Sequence, residues 1–141
     1  MITEKDQARF WAKVALPDEQ GCMLWLSALS SAGYGRITMG GKTHYAHRIS
    51  YALAYGAIPT ELQLDHLCRV RHCVAPDHLE PVTGRVNVLR GQTPAAANAA
   101  KTHCPRDHAY DEENTYVDAK GRRNCRACAR ERARVYRRRV A

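Results

Sequence analysis

Six cysteines, five of them gathered with histidines into two short stretches, constrain this chain more than any other feature of its 141 residues. A single Phe and two Trp leave little from which to build an apolar core. Small domains of that kind recruit cross-links or metal ions to hold their shape. No apolar run approaches the ~18 residues needed to span a bilayer. The N-terminal Met-Ile-Thr-Glu-Lys-Asp lacks the charged-then-apolar pattern of a leader. Both observations lead to the expectation of a soluble, cytoplasmic chain without a membrane partner. In that reducing compartment thiols serve as metal ligands rather than as disulfides.

The C-terminal stretch has the more familiar spacing. Cys104 and His108 form a C-x(3)-H knuckle, and Cys125 and Cys128 a C-x(2)-C knuckle, with sixteen residues between. Zinc takes four N or S ligands at tetrahedral corners, and two short knuckles supply them. His103 is a second candidate, but it abuts Cys104 and offers an awkward geometry. Cys22, Cys68 and Cys73 then need one histidine. His72 abuts Cys73, whereas His78 lies five residues beyond it, enough for the chain to turn back, so His78 is preferred. All six cysteines are thereby used in two structural zinc sites of three Cys and one His. Cys22 pins an early strand to the central loop.

Net charge is +8, distributed unevenly: residues 1–70 sum to +1 and residues 71–141 to +7. Nine arginines fall between Arg122 and Arg139. Such a surface favours polyanions, nucleic acid being the commonest, although a solvated tail has the same composition. Written as a helix, residues 126–140 place Arg126, Arg130, Arg134 and Arg137 along one face, suited to lie along phosphates.

Hydrophobic pattern and turn residues organise the rest. A helix is expected over residues 3–14, with Thr3 and Asp6 as a capping pair, and a strand over 22–28. A hairpin about Gly40-Gly41 joins 34–39 to 42–46, followed by a helix over 47–55 and another from about Thr83 to Gly91. The alanine-rich stretch 93–100 could be a helix, but it lacks an apolar stripe and reads more as a linker or connecting arm. A second hairpin, 114–117 with 122–125, precedes the basic helix. Three segments follow: a domain over 1–92, a linker over 93–102, and a zinc-binding hairpin with basic helix over 103–141.

The run from Leu64 to Asn87 carries the pattern H-L-C-x(4)-C-x(4)-H-x(8)-N without a gap, from His66 through Asn87. It resembles the HNH, or ββα-metal, endonucleases, and in its Cys and His spacing the His-Cys box homing endonucleases. Gly33-Tyr34-Gly35-Arg36 and Ala46-His47-Arg48 look like phrases of phage-type HNH proteins. The resemblance covers about residues 10–92. It implies an α+β fold: a small ββα-metal (His-Me finger) nuclease core with a β-hairpin, stapled by structural zinc and followed by the C-terminal zinc knuckle and basic helix. It also implies that His66 is a general base and that Asn87 holds the catalytic metal. An Asp-His pair is frequent in that family, which makes Asp65 either a second ligand or a partner of the site. Ala75 departs from the pattern, where Asn is expected before Pro76 to tie up the loop backbone.

The chemistry asks for these residue types. Phosphodiester hydrolysis needs a water made nucleophilic and a metal to neutralise the phosphate. A neutral imidazole suits the first task, and hard oxygen donors hold one Mg²⁺ or Mn²⁺ ion for the second. Arg48 is the first choice for a phosphate-stabilising cation, with Arg36 and Lys42 as alternatives. Arg36, Lys42, His44 and Tyr45 of the hairpin are expected near DNA. The expected activity is a metal-dependent DNA endonuclease that nicks or cuts both strands. Its rival is a non-catalytic zinc-stabilised DNA-binding protein, or an accessory factor of phage DNA packaging. A homodimer and contacts with phage packaging proteins stay open. A phage or prophage origin would place the chain in the bacterial host's cytoplasm.

Overall fold

A computed structural model describes residues 2–140. The chain divides into two compact units, one through Val88 and one from Leu89. In chain order the first contains α1 (Glu4–Trp11), β1 (Arg36–Met39), β2 (Lys42–Tyr45), α2 (Ala46–Tyr55), β3 (Leu62–His66), a 3-10 turn (Pro76–His78), β4 (Leu79–Thr83) and most of α3 (Gly84–Arg90). Each sheet is a two-stranded antiparallel pair.

Local chemistry accounts for the element ends. Thr3 Oγ1 accepts from the Asp6 N–H at 3.2 Å while the Asp6 carboxylate accepts from the Thr3 N–H, a complete capping box. α1 stops at Trp11, short of the expected residue 14, because the next residues pair elsewhere. The Lys13 carbonyl accepts from Leu26 N–H and the Ala15 N–H donates to the Leu24 carbonyl. The β1–β2 turn has Gly40 at φ +55° and Gly41 at φ +74°, the double left-handed turn that matches strand twist. Gly35 is needed for a different reason. A Cβ there would lie 2.8 Å from the Trp25 ring and 2.9 Å from the Ala46 Cβ.

The strand expected over 22–28 does not form. Val14–Trp25 and Leu24–Cys73 are isolated bridges, since the segment lies between two irregular neighbours, each aligned with it over a residue or two. Those bridges still join the core to the central loop: Trp25 N–H donates to the His72 carbonyl and Val74 N–H to the Met23 carbonyl. The core gathers Phe10, Trp25, Ile37, Met39, Ala46, Ile49 and Val74. Phe10 and Trp25 meet at a ring separation of 5.2 Å. Ser50, fully buried on α2, donates its hydroxyl to the Val74 carbonyl, so the loop is tied to the helix by packing and by a hydrogen bond.

The second unit contains α4 (Pro94–Ala100), β5 (Thr115–Val117), β6 (Arg123–Cys125) and α5 (Arg126–Val140). Residues 93–100, expected as a linker, therefore include a helix. Its start has ordinary signals: Thr93 Oγ1 accepts from Ala96 N–H at 3.0 Å, and Pro94 opens the first turn. At its other end the Arg123 guanidinium donates to the Asn98 and Ala99 carbonyls and lies 4.7 Å from the centre of the Tyr110 ring. α5 has no buried residue. Among the described residues no helix is long and apolar enough to cross a membrane.

Candidate active site and metal centres

Cys22, Cys68, Cys73 and His78 come together, as do Cys104, His108, Cys125 and Cys128, each group with its ligand atoms within 4.8 Å of one another. His72 and His103 belong to neither group. Zinc bonds of about 2.3 Å to sulfur and about 2.0 Å to nitrogen, set at tetrahedral angles, demand S···N edges near roughly 3.6 Å. The observed edges are 3.5 Å (Cys22–His78), 3.6 Å (Cys73–His78), 3.4 Å (Cys104–His108) and 3.4 Å (Cys128–His108), and the Cys104–Cys128 sulfurs are 3.6 Å apart. All six thiols are free of disulfides. Both clusters can hold a metal ion, and donor set and spacing fit zinc.

The two clusters are built differently. Cys22 and Cys73 are buried beside Ala75, and burial pushes the Cys22 thiol up to about 12 and raises that of Cys73. Those thiols ionise only when a cation compensates them. In the second cluster backbone N–H groups point at sulfur: Arg106 at Cys104 and Cys128 at Cys125, each 3.4 Å. The Cys128 N–H, with help from the Asn114 amide, lowers Cys125 to about 6, while burial takes Cys128 to about 11. Asn114 had no signal in spacing. It donates to Cys125 Sγ at 3.3 Å and accepts from Ala127 N–H at 2.9 Å, locking the knuckle to the first turn of α5. Elemental analysis of the purified protein should find two zinc ions per chain, and a content of one would remove one of the two assignments.

β3, β4 and α3 follow one another as strand, strand and helix, with Asp65 opposite Glu80 and His66 opposite Leu79. His66 is 6 % exposed. Its Nε2 lies 3.1 Å from the Cys73 carbonyl oxygen, which can only accept, so Nε2 carries the proton and Nδ1 keeps its lone pair. Burial holds the His66 pKa below the ordinary histidine value, outweighing the upward pull of that carbonyl. The imidazole is therefore neutral at neutral pH.

Asp65 is 3 % exposed, and its Oδ1 meets Arg69 Nη1 at 2.6 Å. By strand alternation it shares a face with Gln63. Gln63 Oε1 accepts from Asn87 Nδ2 at 3.0 Å, which fixes the Asn87 amide and leaves its Oδ1 as the acceptor to be presented. The Asp65 carboxylate and the Asn87 amide oxygen are hard-oxygen donors, the kind of ligand a Mg²⁺-like ion takes.

His47 escaped the reading of the sequence, which selected Arg48 from the phrase Ala46-His47-Arg48. His47 is 7 % exposed and its ring centre lies 4.8 Å from that of His66, edge to face. Its Nδ1 is buried without a hydrogen-bond partner. Burial pushes its pKa down to about 3, with the His66 and Arg48 charges adding to the effect. Tyr34 packs on His47 and His66 at 5.5 and 5.8 Å, and Tyr45 stacks on His47 at 5.6 Å. Three rings thus surround or support the His66 imidazole. The available signal was the helix pattern, since position 47 falls on the buried face of α2 with Ala46, Ile49 and Ser50, whereas Arg48 is exposed.

The hairpin does not present its four selected residues together. Arg36 stands opposite Tyr45, and by alternation Lys42 and His44 lie on the other face, opposite Met39 and Ile37. All four are exposed. On α5, Arg130, Arg134 and Arg137 line a shallow groove with Arg138. Arg126 instead lies over the Tyr116 ring at 5.8 Å. Ala75 is buried and opens the 3-10 turn without a side-chain cap, so the loop closes there by the His78 N–H to Ala75 carbonyl bond.

A family model described as HNH endonuclease matches residues 44–89, the span from His44 through α2, β3, three of the four residues of the first metal centre (Cys68, Cys73 and His78), β4 and all but the end of α3. Over those residues the chain is similar to HNH endonucleases. Protein 7.7 of Escherichia phage T7 is 34 % identical over 68 residues, covering 48 % of this chain and 52 % of that protein. The chain thus spans about half the length of the curated relative it matches, and the relative's name states no activity. No solved structure matches. The matched span contains His47, Gln63, Asp65, His66, Arg69 and Asn87.

Proposed function

We propose that the chain is a metal-dependent DNA endonuclease in which β3, β4 and α3 form a ββα-metal unit. The observation that carries this reading is the state of His66: buried within the span similar to HNH endonucleases, neutral, with Nε2 tied to the Cys73 carbonyl and Nδ1 left basic. His66 belongs to neither Cys/His cluster, so its Nδ1 is not used on a structural metal ion.

His66 Nδ1 would take the proton from a water whose oxygen bonds to phosphorus, while the opposite P–O ester bond breaks and its oxygen departs with the electron pair, to be protonated by solvent. Neutral imidazole is matched to this task near pH 7. Asp65 and Asn87 would hold one Mg²⁺ or Mn²⁺ ion, which when bound supplies Lewis-acid stabilisation of the phosphate charge. Gln63 orients the Asn87 amide. His47, edge to face, and Tyr34, tilted, restrict rotation of the His66 ring. Arg48, exposed on α2 beside His47, stays the candidate for steadying the phosphate, and Arg36 with Tyr45 is the hairpin pair nearest this ring cluster.

The two zinc centres hold the fold, and α5 supplies general affinity by lying along phosphates. Truncation after Ala129 should flatten the dependence of log affinity on log salt by roughly 0.9 for each phosphate that is no longer neutralised, with the cleavage pattern unchanged. Equilibrium binding at several salt concentrations measures this slope, and an unchanged slope would make α5 a solvated appendage. A non-catalytic DNA-binding protein, or an accessory factor of DNA packaging, would use α5 equally well and would keep His66 as a packed residue tied to the Cys73 carbonyl. Similarity to a phage protein supports a bacterial host's cytoplasm as the setting. Incubating supercoiled plasmid with the protein and Mg²⁺ tests the reading: nicked or linear product supports it, and unchanged plasmid at saturating protein favours the binder.

A further inference from the structure

Arg69 has a φ of +60°, a left-handed backbone state that residues with a Cβ rarely adopt. It closes a turn in which its N–H donates to the His66 carbonyl at 3.0 Å, directly after the zinc-cluster residue Cys68. Glycine or asparagine would make that turn at lower cost. What arginine adds is its contact with Asp65, at 2.6 Å. The two partners are unequal: the Asp65 side chain is 3 % exposed and that of Arg69 is 48 % exposed. A buried carboxylate requires a compensating charge. Here the charge comes from the solvent side, on a long side chain that can withdraw without disturbing the core.

We infer that Arg69 is a placeholder cation on Asp65, which a divalent ion must displace in order to bind. This rests on Asp65 being a ligand of the catalytic ion. A guanidinium 2.6 Å from Oδ1 and a divalent ion on the same carboxylate draw on one negative charge and repel each other, so the free energy of the ion pair opposes metal binding. The metal-free protein keeps its buried carboxylate compensated, and it binds the divalent ion more weakly than the same oxygen donors would without Arg69.

Mn²⁺ binding to the zinc-loaded protein without DNA, read by electron paramagnetic resonance, tests this independently of cleavage. Arg69→Gly and Arg69→Asn both suit the left-handed turn and remove the charge. Each should bind Mn²⁺ on the order of fivefold more tightly than the parent, the scale of one part-exposed ion pair. Asp65→Asn should bind it more weakly. Equal or weaker binding in both Arg69 variants, with Asp65→Asn impaired, overturns the inference alone. Parent-like binding in Asp65→Asn overturns the assignment of Asp65 as a ligand and the inference with it. Loss of zinc from both Arg69 variants also overturns it, because Arg69 would then belong to the fold and not to a competition for Asp65.

Discussion

Replacing His66 with alanine should lower Mg²⁺-dependent DNA cleavage by about a hundred- to ten-thousandfold, the usual contribution of a positioned general base. Zinc content should stay at the parent's level, since His66 belongs to neither Cys/His cluster. Alanine removes the Nε2 hydrogen bond to the Cys73 carbonyl and the ring contacts with Tyr34 and His47, so His66→Gln, whose amide can donate to that carbonyl, serves as a second variant. Both should fail in cleavage while retaining DNA affinity, if affinity resides in the exposed arginines as proposed. Single-turnover rates at matched zinc content decide the matter. A variant that cuts at the parent's rate would take the base assignment away from His66.

Replacing Cys73 with serine should unfold the unit that runs through Val88, and replacing Cys125 should loosen only the second unit. Cys73 is completely buried, forms the bridge with Leu24, and is followed by Val74 of the main core. Structural zinc contributes an apparent ~10 kcal/mol or more in small zinc domains, comparable to the ~5–15 kcal/mol total stability of a domain. A core with one Phe has no reserve against removal of that ion. Cys125 ties β6 to α5 and Asn114, all beyond Leu89. Hydrogen exchange of the two variants should therefore show reduced protection in different segments, and the same reduction in both would contradict separate zinc-held units.

Spacing made the metal clusters legible because short loops limit which side chains can meet. Five residues let the chain reverse between Cys73 and His78, and adjacency forbids it for His72. The capping box at Thr3 and Asp6 and the turn at Gly40-Gly41 were legible for the same reason: each is a local chemical requirement. The segment 22–28 does not show its irregular form in its sequence because an apolar run says only that it is buried, and here its neighbours are loops aligned for a residue or two. The helix at Pro94–Ala100 was hidden by its lack of an apolar stripe, although Thr93-Pro94 is an ordinary helix start. His47 and Arg69 were invisible for a third reason. Their importance lies in contacts with residues nineteen and four positions away, His66 and Asp65, and no periodic pattern records an edge-on ring or a left-handed turn.

The most direct measurement is the cleavage rate of supercoiled DNA by the parent protein as Mg²⁺ is added and then withdrawn by buffer exchange, with zinc content determined at each stage. Chelators are avoided because they strip zinc as well. The expected result is cleavage that appears with Mg²⁺ and stops on its removal while both zinc ions remain bound. Cleavage that continues undiminished in Mg²⁺-free buffer with zinc alone, or no cleavage at any Mg²⁺ concentration, would contradict a nuclease centred on His66, Asp65 and Asn87.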